Sequence, residues 1–162
     1  MNNFRIGFGY DVHQLVSGRD LVVGGIRIPF HKGALGHSDA DVLLHALSDA
    51  LLGAVALGDI GTLFPDTDPE FKDMDSRLIL ETAFRLVKEK GYYVQNTDAT
   101  VALQEPKLAP YIQEMRTVIA KVLETDVENI SVKATTTEHL GVIGNGEGIA
   151  AYAVVSLTGL TV

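Results

Sequence analysis

The sequence predicts an α/β chain of the α+β sandwich type, a mixed β-sheet with helices packed on one of its faces. Three observations lead there. Some short runs alternate apolar and polar residues with the period of two of a strand, while others repeat at helical spacing. The predicted order is β-β-α-α-β-α-β-β with long βαβ stretches, which suits helices layered on a mixed sheet. No linker, low-complexity run or internal repeat divides the 162 residues, so residues 1–162 read as a single domain.

Phe4, Ile6, Phe8 and Tyr10 alternate with Arg5, Gly7 and Gly9 and predict the first strand, with Asp11-Val12-His13 at its end. Leu21 to Ile28 predicts a second strand, bulged at Gly24-Gly25. Ser38 is the expected cap of a helix, with Asp39 and Asp41 where the helix dipole favours acids. The run Val42 to Ala56 is apolar on most sides, so this helix is expected to be largely buried. Asp59 to Asp75, dense in Gly, Pro and Asp, predicts a loop. Ser76 to Lys90 predicts an amphipathic helix ended by Gly91, and Tyr92 to Leu103 a strand. Pro110 suits the first turn of a helix running to about Leu123. Ile130 to Ala134 and Ile149 to Leu157 are the last strands, and the glycines of Gly144-Asn145-Gly146-Glu147-Gly148 predict a turn before the final one. Along that strand Ala151, Ala153, Val155 and Leu157 oppose Tyr152, Val154 and Ser156, so both sides are apolar. The sheet should therefore be covered on both faces, which predicts an oligomer.

Composition excludes several classes. With 13 basic and 21 acidic residues the formal charge is −8, against a nucleic-acid or anionic-membrane surface. Without cysteine there is no disulfide framework, thiolate zinc site, iron–sulfur cluster or cysteine nucleophile. Apolar stretches break well before the roughly 20 residues of a membrane span. Met1-Asn2-Asn3-Phe4-Arg5 carries no signal pattern, and a cytoplasmic protein is expected.

Several constellations carry possible chemistry. Asp11 and His13 are two apart in a strand and so point to one side; a third ligand would complete a zinc site with an open position. The alternative is a solvated aspartate and a loop histidine. His45 is a candidate third ligand within an apolar helix, yet Asp41 and Asp49, four residues to either side, could equally satisfy it. His37-Ser38 precedes that helix, whose free N–H groups could take an anion. The acids in the loop at Asp59, Asp66 and Asp68 could grip the hydroxyls of a polyol, or simply shape a turn. Lys107 in Gln104-Glu105-Pro106-Lys107 is a surface lysine or a phosphate contact. Thr135, Thr136 and Thr137 leave a strand and lead to Glu138, which suits a diphosphate with a hard divalent cation, although threonine is also a common strand residue.

Taken in order, Gly7-Phe8-Gly9-Tyr10-Asp11-Val12-His13, Gly36-His37-Ser38-Asp39-Ala40-Asp41-Val42, Leu57-Gly58-Asp59-Ile60-Gly61, Phe64-Pro65-Asp66-Thr67-Asp68-Pro69, Pro106-Lys107 and Lys133-Ala134-Thr135-Thr136-Thr137-Glu138 resemble the 2-C-methyl-D-erythritol 2,4-cyclodiphosphate synthase family over nearly the whole chain. The resemblance implies a homotrimer whose sheets face inward, with active sites between subunits. It implies conversion of 4-diphosphocytidyl-2-C-methyl-D-erythritol 2-phosphate into the 2,4-cyclodiphosphate with release of CMP, in non-mevalonate isoprenoid synthesis. It further implies Zn2+ on Asp11, His13 and His45, one ion per subunit, and Mg2+ or Mn2+ on the diphosphate with help from Glu138. By the same resemblance His37 and Thr136 align and polarise the phosphates. Asp11, His13 and His37 would also touch the substrate, and Ser38, Asp59, Ile60, Gly61, Phe64, Pro65, Asp66, Thr67 and Asp68 would meet its erythritol side. Leu103, Gln104, Glu105, Pro106, Lys107, Leu108 and Ala109, with Thr135, Thr136, Thr137 and Glu138, would hold the cytidine diphosphate. Two divalent ions would let a chain of charge −8 hold a polyphosphate.

The chain departs from the family at Val142 and Asn145, where an aromatic residue and an arginine are usual, so the family's central isoprenoid and phosphate site is not carried over. Two rival readings share the same ligands: a zinc phosphohydrolase that activates water, and a trimer that holds zinc only for its fold.

Overall fold

The computed structural model describes residues 3–65 and 73–159. A five-stranded mixed sheet runs in the order β4-β1-β7-β5-β6. Its strands are β1 (Phe4–Ser17), β4 (Lys32–Ala34), β5 (Tyr92–Ala102), β6 (Ile130–Thr135) and β7 (Gly148–Gly159). Only β5 and β6 are parallel; β7 runs antiparallel to both β1 and β5. Helices α1 (Val42–Ala54), α3 (Ser76–Glu89) and α4 (Ile112–Val122) lie on one face. The four-residue helices α2 (Ile60–Leu63) and α5 (Gly141–Gly144) sit in connections. The predicted fold class is thus the observed one.

The packing follows from the alternation in β1. Its odd residues face the helices and its even residues face away. Gly7 and Gly9 therefore lie directly under α1: a Cβ on Gly7 would stand 1.8 Å from the Ala50 carbonyl oxygen, and one on Gly9 1.9 Å from that of Ala46. Helix and strand run in opposite senses, so continuing along the same side of β1 brings Asp11 and His13 to the first turns of α1. Almost every residue of α1 is buried, as its all-round apolar sequence predicts. Leu43, Leu44, Leu47, Leu51 and Leu52 form the centre of the core with Leu80, Met115 and Ile119 from the other two helices.

The opposite face is apolar only in part. Phe4, Ile6, Phe8, Tyr10 and Val12 of β1 and Tyr152 and Val154 of β7 are exposed, Phe8 by 62 %. The rings of Tyr10 and Tyr152 lie 5.0 Å apart. Beyond β7 the same face turns polar, with the Ser156 hydroxyl donating to Asn96 and Lys133 paired with Asp98.

Four expectations change. First, β1 continues to Ser17, its far end pairing with β4, so Asp11 and His13 are mid-strand residues rather than a strand end. Second, the run from Leu21 is not one bulged strand but a hairpin of β2 (Leu21–Val23) and β3 (Ile26–Ile28). Gly24 (φ 62°) and Gly25 (φ 75°) make its two-residue turn, which requires positive φ at both central positions. Third, Ser38 does not cap α1. Its hydroxyl accepts the Ala40 N–H within a turn, and Asp41 is the cap. Fourth, the predicted loop from Asp59 contains α2, capped by Asp59, whose carboxylate accepts the Thr62 N–H.

The Asp41 carboxylate is fully buried and serves two elements at once. It accepts the Leu43 and Leu44 N–H groups of α1 and the Gly24 and Gly25 N–H groups of the hairpin, at 2.6–3.1 Å. Burial pushes its pKa up to about 6, with the N–H groups of Gly25, Leu44 and Gly24 pulling against that. Asp41→Ala strands all four donors, so a loss of about 2–4 kcal/mol is expected, a fall in Tm of roughly 5–15 °C by circular dichroism. A shift under about 2 °C would show that water replaces the carboxylate without penalty.

Candidate active site

Asp11, His13 and His45 converge where β1 passes the first turns of α1. Asp11 Oδ2 lies 2.9 Å from His13 Nε2 and 3.0 Å from His45 Nδ1, and the two ring nitrogens are 3.3 Å apart. Among the described residues these three form a group whose donor atoms could share one ion. The donor set fits zinc: ligands about 2.0–2.2 Å from a tetrahedral ion stand roughly 3.3–3.5 Å from one another, close to the spacing here. Two neutral imidazoles and one carboxylate leave a fourth position open.

The surroundings orient each ligand. His13 Nδ1 lies 2.9 Å from the Leu35 carbonyl oxygen, which can only accept; the neutral ring therefore keeps its proton on Nδ1 and turns the Nε2 lone pair inward. His45 is 6 % exposed, with Nε2 against the hydroxyls of Ser76 (2.9 Å) and Ser38 (3.2 Å). Burial alone would raise the Asp11 pKa, but the imidazoles of His13 and His45, which in their protonated forms donate to it and lend it positive charge, outweigh burial and hold the carboxylate well below its usual range. Burial works to lower the His13 pKa, but Asp11 first, with the Leu35 carbonyl and the charge of Asp41, favours the protonated ring and brings it above the ordinary imidazole value.

The helix-mate alternative for His45 does not hold. Asp41 is occupied as the cap, and Asp49 accepts the Ile60 N–H at 2.8 Å, tying α2 to the middle of α1. The expectation of an anion cradle at the start of α1 fails for the same reason, because Asp41 takes the N–H groups that an anion would need.

The triad lines a cleft of about 540 Å³. His37, Ser38, Ile60, Gly61, Phe64 and Pro65, all singled out in the sequence, line it too. Asp59 stands beside it as the α2 cap, while Asp66, Thr67 and Asp68 lie outside the described residues. The sequence reading missed Leu35, Gly36 and Ile79, which also line the cleft. Gly36 carried a signal: a Cβ there would meet Ala40 at 2.8 Å and the His13 ring at 3.1 Å.

A second cavity, about 150 Å³, is lined by Leu103, Gln104, Pro106, Lys107, Leu108, Ala109, Thr135 and Thr136, all expected, together with Ala134. Glu105 is exposed and joins Pro106 through a cis peptide bond. The threonine run is more self-contained than its hydroxyl count suggests. Thr135 donates to the Thr136 carbonyl, Thr136 to Glu138 at 2.9 Å, and Thr137 to the Leu140 carbonyl. Glu138 (φ 52°) and His139 (φ 62°) are both left-handed, which folds the Glu138 carboxylate back over Thr136. Pairing register links Asp11 to Ala151, Ala151 to Val101 and Val101 to Ala134. Both cavities therefore lie at one end of the sheet, three strand spacings or about 14 Å apart.

The chain resembles known proteins over nearly its whole length. A Geobacillus kaustophilus protein named 2-C-methyl-D-erythritol 2,4-cyclodiphosphate synthase is 62% identical over 154 residues, 95% of this chain and 98% of that one. The solved structure of the bifunctional IspDF of Campylobacter jejuni matches with a TM-score of 0.95 and 44% identity, over 99% of this chain and 43% of that longer one. A CDP complex of Plasmodium falciparum IspF matches with a TM-score of 0.87 and 36% identity, over 99% of both chains. A family model spans residues 4–158, from the first residue of β1 almost to the last of β7 and across both cavities; the chain belongs to the YgbB family.

Proposed function

We propose that this chain converts 4-diphosphocytidyl-2-C-methyl-D-erythritol 2-phosphate into 2-C-methyl-D-erythritol 2,4-cyclodiphosphate, releasing CMP in non-mevalonate isoprenoid synthesis. The observation that carries this is the pairing of a three-ligand cluster in one cleft with a separate cavity built from the Leu103–Ala109 segment and the threonine run. Relatives at about 62% identity bear the name of that synthase, and a structural neighbour was solved with CDP.

The substrate's own 2-phosphate attacks its β-phosphorus, the bond to the CMP oxygen breaks, and the phosphorus–oxygen bond of the ring forms. No protein nucleophile is required, so the chain has to position and neutralise. Asp11, His13 and His45 would hold Zn2+, and Glu138 would help hold Mg2+ or Mn2+ on the diphosphate. Divalent ions there would supply charge withdrawal from the phosphate oxygens, lowering the repulsion between the attacking 2-phosphate and the diphosphate it attacks and easing the departure of CMP. His37 and Thr136 would align the phosphates. Ser38, Asp59, Ile60, Gly61 and the Phe64–Asp68 segment would bind the erythritol. The Leu103–Ala109 segment would seat the cytidine, with the Glu138 carboxylate already turned toward Thr136.

We further infer a cytoplasmic homotrimer with each active site completed between neighbours. The apolar stripe along β1 and β7 supports a covered face, since monomers rarely expose so continuous a patch. The separation of the two cavities supports a substrate held between two chains. Among the described residues no helix is long and apolar enough to cross a membrane.

Incubation with the cytidyl substrate, Zn2+ and Mg2+, followed by phosphorus NMR, tests the reaction. CMP and a cyclic diphosphate are expected. Inorganic phosphate would instead mark a phosphohydrolase.

A further inference from the structure

The hydroxyl of Ser76 has no part in the chemistry described so far, yet it is wholly buried between a candidate metal ligand and a carboxylate. Ser76 opens α3, 31 residues beyond His45. Its Oγ lies 2.9 Å from His45 Nε2 and 2.5 Å from Asp39 Oδ1. The other Asp39 oxygen accepts the Ser76 N–H at 3.1 Å, so the two residues are clamped by a pair of bonds. Asp39 is itself fixed: its Oδ1 accepts the Asp41 N–H, and its own N–H donates to the Met74 carbonyl at 3.0 Å.

The direction of these bonds follows from what each group can do. An ionised carboxylate only accepts, so the Ser76 O–H donates to Asp39. The serine oxygen then has only lone pairs for the imidazole, and His45 Nε2 must be the donor. The neutral ring therefore carries its proton on Nε2 and turns the Nδ1 lone pair toward Asp11 and His13. Ser38, 3.2 Å from the same nitrogen, accepts the Ala40 N–H and adds a second, longer contact.

We propose that Asp39 and Ser76 form a carboxylate–hydroxyl relay that fixes the tautomer and ring orientation of His45 for metal binding. Both are positioning residues, acting on the ion through His45. The relay rests on reading Asp11, His13 and His45 as a metal site. Within that reading it gives α3 a role: seating its first residue aims a ligand carried by α1. Partners of this kind, which orient a ligating imidazole, are worth about 10–100-fold in metal affinity.

The test uses the full-length chain with Zn2+ alone in chelator competition, and with Co2+ for its visible ligand-field spectrum. Ser76→Ala is expected to weaken Zn2+ binding about 10–100-fold and to change the Co2+ spectrum, since the ring is freed. Val87→Ala, in the same helix and fully buried, should lower Tm with zinc affinity unchanged, which separates loss of the relay from loss of stability. Should Ser76→Ala fail to fold, Asp39→Asn carries the same expectation, because it weakens the acceptor that orients the hydroxyl. Folded variants with zinc affinity within about twofold of wild type and the wild-type Co2+ spectrum overturn the relay. A wild-type chain that binds no zinc overturns the metal reading and the relay with it, so the two failures are distinguishable.

Discussion

His45→Ala is expected to leave a folded chain with almost no bound zinc and at least ~10³-fold less cyclisation, the several kcal/mol that a metal supplies to transition-state charge. The change removes the ligand from α1 and leaves Asp11 and His13 on adjacent positions of one strand side, two donors where a tight site needs three. The fold is expected to survive because His45 sits at the rim of the α1 core. Its loss leaves two hydroxyls without their imidazole, Ser38 and Ser76, at a cost of about 1–3 kcal/mol. Metal analysis of the purified variant, activity with the cytidyl substrate and sedimentation of the assembly check the three parts together. The outcome discriminates between readings. A variant that unfolds on losing zinc supports a structural ion. A variant that keeps one zinc per chain, or activity within tenfold of wild type, removes His45 from the centre.

The contrast between what the sequence disclosed about this centre and what it hid is physical. Asp11 and His13 were legible because strand parity is rigid: G-x-G-x-D-x-H places two glycines and two ligands on one side whatever the rest of the chain does. Which side they face was not legible, and only the close approach of α1 to Gly7 and Gly9 settles it. His45 was legible as a candidate but not as a choice, because helix spacing offered Asp41 and Asp49 on equal terms. What decided it was the hairpin turn at Gly24-Gly25, whose N–H groups recruit Asp41 from across the fold, and α2, whose first N–H takes Asp49. Neither contact leaves a trace in local pattern. The same loss explains the misplaced cap: Ser38 and Asp41 are both good capping residues, and the choice lay with a left-handed Ala40 (φ 57°) that keeps Ser38 out of the helix. Ser76 was hidden most completely. A serine at a helix start reads as ordinary, and its function depends on how α3 docks. The exposed stripe on β1 and β7 was partly visible, because alternating large apolar residues on both sides of a strand require two covered faces. The polar β5–β6 end of that face was not, as it depends on which strands pair.

Gly9→Ala is expected to be strongly damaging, as is Gly7→Ala one pleat away, and Gly9 is the one of the two next to the candidate centre. An added Cβ would lie 1.9 Å from the Ala46 carbonyl oxygen, 2.8 Å from its carbon and 2.9 Å from the Ala50 nitrogen. These are backbone atoms of a helix buried at Ala46 and Ala50, so no side chain can rotate away. Either α1 lifts off β1 or β1 bends. Overpacking of well-fitted cores costs about 1–3 kcal/mol, and a rigid backbone contact lies at or beyond the upper end, so Tm should fall by about 10 °C or more. The damage should also reach the centre, because Gly9 precedes Asp11 on the same side of the strand and Ala46 follows His45. A shift of α1 by a few tenths of an ångström moves His45 Nδ1 against Asp11 Oδ2, which are now 3.0 Å apart. Zinc affinity should therefore fall together with stability, unlike Val87→Ala, where stability should fall alone. Thermal unfolding and zinc competition on the same preparation decide the matter. A Gly9→Ala protein with wild-type Tm would mean that α1 does not sit on β1 at the distance described.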